Sequence, residues 1–428
     1  MSTKSGQAGT MVDEGRFNWS RTFLLGFGFL GVSVIWSLYN AYMPIFLQQD
    51  YHLSGMVTGW IMAIDNILAI VLLPFLGALS DRTRTRLGRR RPYILVGSIV
   101  ATMLFLLIPW ARSSGLLWAI MVTLSLLNLS MAVFRTPVIA LMPDITPPRF
   151  RSQANGIINF MGGIGSLLAF FGGGPLYETG NGLPFIVGGL VMLGACLLVV
   201  IFIREPAVVE TSEPSSGEKK PLSFTASAGE LWGNLKDVFT GEKSLLFILL
   251  AIFCWFVGFN AVETFFTSYA KFHLGLTEKI GTQILGYFSA VFMITAIASG
   301  FLGSRFGRKN TIRMGLIVVA AVMLSALFIR SRWPLTAAFL IGGFGWGLVN
   351  VNSLPMVVDM TTLAKVGGYT GLYYFFSQAA NIVAPPLAGA LKDRLGWPSL
   401  MYFAAVMFVV AIVIVSFVRR GDVKPVKA

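Results

Sequence analysis

The sequence predicts an all-α membrane protein with twelve transmembrane helices in two pseudo-symmetric six-helix bundles. Three observations carry that prediction. The 428-residue chain is 55% hydrophobic and only 12% charged, with a mean hydropathy of +0.73, whereas a soluble domain carries about a quarter charged residues. Apolar stretches long enough to cross a bilayer recur along its whole length. Two arginine-rich segments, Gly77–Arg91 and Gly303–Lys309, each separate two such stretches, one in each half of the chain.

A spanning helix needs about 20 mostly apolar residues. Runs of that kind occupy 20–47, 55–80, 93–111, 115–142, 153–177 and 183–203 in the first half. The second half has them at 244–271, 279–303, 311–330, 334–358, 368–391 and 398–418. Their unbroken apolar character predicts helices, because barrel strands would alternate. Residues 1–17 are polar and lack the short apolar core of a secretory signal, so the first span is expected to remain. Pro385 and Pro386 are expected to break helix eleven. Glycines such as Gly162, Gly163 and Gly165 permit close helix approach.

The only long polar stretch divides the chain into a bundle at 1–203, a linker at 204–243 and a bundle at 244–428. Within the linker, Glu213–Lys220 has a flexible composition. Leu231, Leu235, Val238 and Phe239 then fall at helical spacing and predict a short surface helix. With the N-terminus inside, 25 of the 33 lysines and arginines fall on the cytoplasmic side and seven outside, while Arg135 lies within a span. That bias predicts a multi-pass cell-membrane protein with both termini cytoplasmic.

The halves echo one another. Tyr39-Asn40-Ala41 before Phe46 answers Phe259-Asn260-Ala261 before Phe266, and His52-Leu53 answers His273-Leu274. Asp144 closes the fourth span and Asp359 the tenth, and Ala154-Asn155-Gly156 is matched by Tyr369-Thr370-Gly371. Repeats of this kind place a ligand site between the halves, near the membrane midplane.

The pattern Gly-x-x-Ser-Asp-Arg-x-x-x-x-x-Gly-Arg-Arg-Arg-Pro-Tyr, from Gly77 to Tyr93, resembles the loop between helices two and three of the major facilitator superfamily. More narrowly, it and Pro137-Val-Ile-Ala-Leu-Met-Pro-Asp144 are similar to the plant sucrose/proton symporters and their relatives. Those belong to the glycoside–pentoside–hexuronide:cation symporter group. The resemblance covers about residues 20–418. It implies the major facilitator fold, alternating access, and a central cavity lined by helices one, four, seven and ten. Two features depart from the group. Ile139 and Asn128 stand where plant members carry an arginine and an aspartate in helix four. Ala69 and Leu73 replace the two aspartates of the melibiose-type sodium signature before Pro74.

Ionisable groups inside a span are costly and face a cavity or a partner, which singles out Asp65, Arg135 and Glu263. Helix seven stacks Phe256, Asn260, Glu263 and Thr267 on one face. Helix four stacks Asn128, Met131 and Arg135; helix ten Trp346, Asn350 and Ser353; helix eleven Tyr374, Gln378 and Asn381. Helix one offers Trp36, Tyr39, Asn40 and Tyr42, and helix five Asn159. Amides and carboxylates bind hydroxyls while flat rings cover a sugar face, so the expected ligand is a neutral glycoside such as sucrose or maltose. Glu263 or Asp65 is expected to carry a coupling proton, with Arg135 contacting substrate or balancing charge. Asp81, Arg82, Gly88, Arg89, Arg90, Asp144, Arg149, Arg151, Arg305, Arg308 and Asp359 are expected to bridge the bundles and close the cytoplasmic side.

Other classes find no support. The arginines flank spans rather than form a continuous basic face, which argues against nucleic acid and fits contact with lipid headgroups. Cys196, Cys254, His52 and His273 are scattered, so no metal site, cofactor or catalytic constellation is read. A monomer is expected. The alternative within transport is an exporter of amphiphilic compounds, which the aromatic residues and 18 methionines would suit.

Overall fold

The computed structural model describes residues 17–147, 150–205, 243–360 and 366–421. The polar linker with its helix at 226–239, and Arg149, lie outside the described residues. Six helices form the first half: α1 (Trp19–Gln49), α2 (Gly55–Arg82), α3 (Arg91–Ser113), α4 (Leu117–Ile145), α5 (Arg151–Thr179) and α6 (Leu183–Phe202). Six more form the second: α7 (Lys243–Phe272), α8 (Glu278–Phe306), α9 (Arg308–Ala326), α10 (Arg332–Val358), α11 (Val366–Leu395) and α12 (Ser399–Ser416).

Local chemistry sets many of the helix starts. Asn18, Ser54 and Thr277 turn side-chain oxygens onto the first-turn amides of α1, α2 and α8, relieving donors that have no partner within a helix. Pro92 and Pro184 occupy first-turn positions of α3 and α6, where a missing N–H costs nothing. Among the described residues, ten helices are apolar and long enough to span a membrane; α2 makes an eleventh, bent by 47° between Ile70 and Phe75. The break contains Pro74, and proline removes one bond from the helix ladder. Helix α11 has the length, at 30 residues, but Ser377, Gln378 and Asn381 dilute its apolar character.

One expectation needs correction. Helix α11 is continuous through Pro385 and Pro386; it does not break there, because the adjoining backbone packs against Gly59 of α2 and is held by it. The second arginine segment holds a tight turn. Helices α8 and α9 run almost into each other, joined at Gly307, whose φ of +84° only glycine adopts without strain.

Within the first bundle α1 packs on α5 and α6, α3 on α4 and α6, and α2 on α4. In the second, α7 packs on α11 and α12, α9 on α10 and α12, and α8 on α10. Each pairing therefore recurs six helices later. The contacts between bundles obey the same symmetry, with α2 against α11 and α5 against α8, and α1 against α7 on the pseudo-axis.

Both arginine segments lie at one end of the helices, the basic face. Arg90 is buried there, 5% exposed, and its guanidinium reaches Asp81, Ser80 and Asp144, the last at 3.0 Å. Arg89 joins Asp144 at 2.6 Å and Asp81 at 3.8 Å. Gly88 turns the chain at φ +113°. Beside it the Glu205 carboxylate accepts from the backbone amides of Arg89, Arg90 and Arg91 at 2.7–2.8 Å, sealing the start of α3. In the second bundle Arg308 pairs with Asp359, the counterpart of Arg90 with Asp144. Arg151 donates to the Pro143 carbonyl at 3.3 Å, Arg305 lies over the Phe306 ring, and Arg82 is exposed.

Bridging pairs are expected when this face is shut; with the helix ends apart, these pairs are internal to each bundle. Each links helices of one bundle, not the two bundles, because the helix ends separate on this face and leave each cation only partners from its own half.

Three stability outcomes follow, all read by thermal unfolding in detergent. Glu205→Ala strips three amides of a charged acceptor and is expected to cost about 1–3 kcal/mol; an unchanged midpoint would mean water replaces the carboxylate. Arg90→Ala removes a buried guanidinium shared by Asp81, Ser80 and Asp144, while Arg89 still pairs with Asp144, so the expected cost is about 1–3 kcal/mol. Arg308→Ala, whose partner Asp359 is 43% exposed, is expected to cost under about 1 kcal/mol.

Candidate functional site between the bundles

A cavity of about 1080 Å³ separates the two bundles. Its walls come from α1, α5, α7, α8, α10 and α11, with Val319 and Met323 from α9 and Phe408 from α12. It opens toward the basic face: Asn155, Gly156 and Phe160 in the first turns of α5 line it and are exposed, as do Leu354 and Pro355 near the end of α10. At the opposite, far face the bundles touch. Thr267 Oγ1 donates to the Ala41 carbonyl at 2.7 Å, Gln48 Nε2 to Ser268 Oγ at 3.4 Å, and Lys279 pairs with Glu178 at 2.8 Å.

Among the described residues, Glu263 is the only acidic or basic side chain lining the cavity. It projects from α7 one turn below Thr267, whose bond to Ala41 on the parallel helix α1 sets Glu263 level with Ser37, also in the wall. Among the described residues its carboxylate has no hydrogen-bond or ion-pair partner. Behind it, within the first bundle, Asp65 on α2 lies in electrostatic range of Glu263, Arg135 and Tyr39. The Asn66 amide donates to Asp65 at 2.8 Å. Arg135 is half-buried and completes no ion pair within 4.0 Å among the described residues. Next to this group sit three buried polar atoms without partners: Trp36 Nε1, Tyr39 Oη and Asn128 Oδ1. Tyr39 faces Asn128 but falls short of a hydrogen bond with it. Buried polar atoms are rarely left so.

The candidates divide accordingly. Asn159, Glu263, Trp346, Asn350 and Tyr374 line the cavity. Trp346 is stacked on Phe259 with centroids 4.0 Å apart, and Tyr374 is 55% exposed. Trp36, Tyr39, Asn40, Asn128 and Arg135 do not line it; α4 contributes nothing to the wall, and α5 and α8 take that role. Asn260, Asn381 and Gln378 also stand back from it. Asn260 donates to Asn381 at 2.6 Å and Asn381 to Gln378 at 2.8 Å, a chain that ties α7 to α11 and uses amides as interhelical links.

Several wall residues were not among the candidates, although their spacing carries the signal. Phe29, Ser33 and Ser37 recur every four residues on α1, and Ser289, Phe292, Met293 and Ala296 mark one face of α8. Among the described residues no group of three His, Cys, Asp or Glu could hold a metal. Cys196 and Cys254 are free and buried.

The sequence matches the major facilitator superfamily over residues 25–361 and 284–428. It is 24% identical over 369 residues to multidrug resistance protein 2 of Bacillus subtilis (strain 168), covering 85% of this chain and 86% of that protein. It is also 24% identical over 371 residues to an isoprimeverose transporter of Lactiplantibacillus pentosus, covering 82% and 74%. Among solved structures, the nucleoside transporter NupG superposes with a TM-score of 0.73 at 12% identity, covering 94% of this chain and all of that one. An inward-facing, occupied bacterial homologue of the human lysosomal transporter Spinster gives 0.69 at 15% identity, covering 93% and 95%. With its duplicated bundles and the cavity between them, the chain belongs to the major facilitator superfamily of membrane transporters and is not an enzyme.

Proposed function

We propose that this protein imports a neutral glycoside, a disaccharide such as sucrose or maltose, together with protons by alternating access. The observation that carries the proposal is the composition of the cavity wall around Glu263. Hydroxyl and amide groups reach it from opposite sides: Ser33 and Ser37 on α1, Asn155 and Asn159 on α5, Ser289 on α8 and Asn350 on α10. Such a wall can bond a polyol in many directions, while Trp346 and Tyr374 present ring surface to the apolar face of a sugar. A wall with one carboxylate and no cation does not favour an anionic ligand. The similarity to an isoprimeverose transporter agrees with a glycoside.

Proton coupling rests on Glu263 and Asp65. Two carboxylates within electrostatic range repel, and a proton on either relieves that repulsion. Arg135 opposes the charge of Asp65 from within its own bundle. Because the pair spans the interface, its protonation state affects how closely the bundles approach. The distribution of lysine and arginine makes the basic face cytoplasmic, so the cavity opens inward in the cell membrane. Protons, sugar and lipids are its partners, and a single chain holds the complete pathway.

One observation favours a second reading, export of amphiphilic compounds. Phe29, Phe160, Phe170, Phe259, Phe288, Phe292 and Phe339 line much of the same wall, and a multidrug resistance protein is among the relatives.

Purified protein in vesicles distinguishes the two. With one proton per sugar, a one-unit inward acid gradient supports about tenfold sucrose or maltose accumulation. Collapse of the gradient is expected to abolish it. Dye movement without sugar uptake would replace the first reading with the second. Glu263→Gln and Asp65→Asn are each expected to remove accumulation against a gradient; if both still concentrate sugar, the coupling assignment fails.

A further inference from the structure

The far face is held shut by a contact that the transport proposal does not use. Helix α2 begins there, and its first-turn amides have no partners within the helix. The Ser54 hydroxyl, from the same bundle, accepts only from Val57 N, at 3.2 Å. The amides of Gly55 and Met56 are taken by Asp393, near the end of α11 in the other bundle. Its Oδ1 accepts from Gly55 N at 2.8 Å and its Oδ2 from Met56 N at 2.9 Å. Both carboxylate oxygens of one bundle thus cap a helix of the other, where the helix dipole also favours negative charge.

The contact is built for close approach. Asp393 is steadied by Lys392 at 2.9 Å, and Lys392 also donates to Gln48 on α1 at 3.2 Å. A Cβ on Gly55 would lie 2.8 Å from the Gly389 carbonyl and 2.9 Å from Asp393 Oδ1. One turn further in, a Cβ on Gly59 would collide with the carbonyl of Pro385. The symmetry-related seam closes differently. Glu178 of α5 stands where Asp393 stands in α11, but it forms an ion pair with the Lys279 side chain and its partners are 47% and 35% exposed.

We propose that Asp393 is the principal latch of the far side: it must release the start of α2 before the cavity can open there, and it re-forms when the cavity opens on the basic face. The inference holds whichever ligand is carried, so its failure and failure of the glycoside reading are separable. Lost capping bonds to a charged acceptor are worth about tenfold or more in the balance between the two states. An exposed ion pair is worth about fivefold at most.

The test uses full-length protein in membrane vesicles with a cysteine reporter at Ser37, a cavity-wall residue, and a membrane-impermeant maleimide applied to the far face. The parent carrying only buried Cys196 and Cys254 supplies the background. Ser113→Cys, at the exposed far end of α3, confirms insertion and sidedness for each variant. Asp393→Ala is expected to raise the labelling rate of the Ser37 reporter about tenfold, and Glu178→Ala by less than about fivefold. Gly59→Leu, which wedges the same seam without touching the carboxylate, is expected to raise it as well. The latch is overturned if Asp393→Ala labels at the parental rate, or if Glu178→Ala matches it. It is also overturned if Gly59→Leu leaves the reporter closed, since the seam would then not control access.

Discussion

Hydrocarbon offers a charged side chain neither water nor a counter-ion, and the position of every ionisable group in this fold answers to that constraint. At the basic face the arginines meet carboxylates and helix ends within their own bundle, as Arg90 does with Asp81 and Asp144. At the far face Arg112 pairs with Asp50 at 2.5 Å and Lys271 with Glu278 at 2.5 Å. Between the faces, among the described residues, only Asp65, Arg135 and Glu263 stand without an ion pair, and Asp65 lies within electrostatic range of the other two beside the seam between the bundles. The lipid-facing surfaces carry side chains such as Phe301, Phe328 and Trp110, exposed by 76%, 83% and 67%.

Duplication gives that seam its mechanical character. Because helix pairings repeat six helices apart, the two bundles meet through two equivalent contacts, α2 with α11 and α5 with α8, around an axis contact of α1 with α7. Rigid bodies related in this way can rock about a fixed site with little internal change. On the open side the ion pairs of Arg89, Arg90 and Arg308 are internal to each bundle, so separation of the bundles breaks none of these. On the closed side, bonds such as Thr267 to Ala41 and Gly55 to Asp393 cross between bundles and must be exchanged for water when that side opens.

The half-buried His273 imidazole lies on the far face, outside the seam. Partial burial, with the Arg330 guanidinium 2.8 Å from its Nε2, holds its pKa below the usual histidine value. Its proton therefore comes off more readily than in water, and it stays neutral over a wider range. Its counterpart in the repeat, His52, adopts a φ of +51° at the same turn in the first half.

Helix number, the repeat and the isolation of Asp65, Arg135 and Glu263 within spans were legible in the amino-acid order, because apolar run length and isolated charges in spans reflect solvation, a local property of each segment. The same reading found Asn350, Trp346, Tyr374 and Asn159. What it could not decide was which polar faces meet each other. Asn260 and Asn381 look like ligand-binding amides until the packing joins them, and Asn128 and Arg135 look cavity-facing until α5 and α8 form the wall instead. Likewise the arginine segments declare a membrane face by their charge, but only the separation of the helix ends decides that their partners come from their own bundle. Solvation is written residue by residue, whereas partner choice depends on distances between segments far apart in the chain, which only the packed bundles establish.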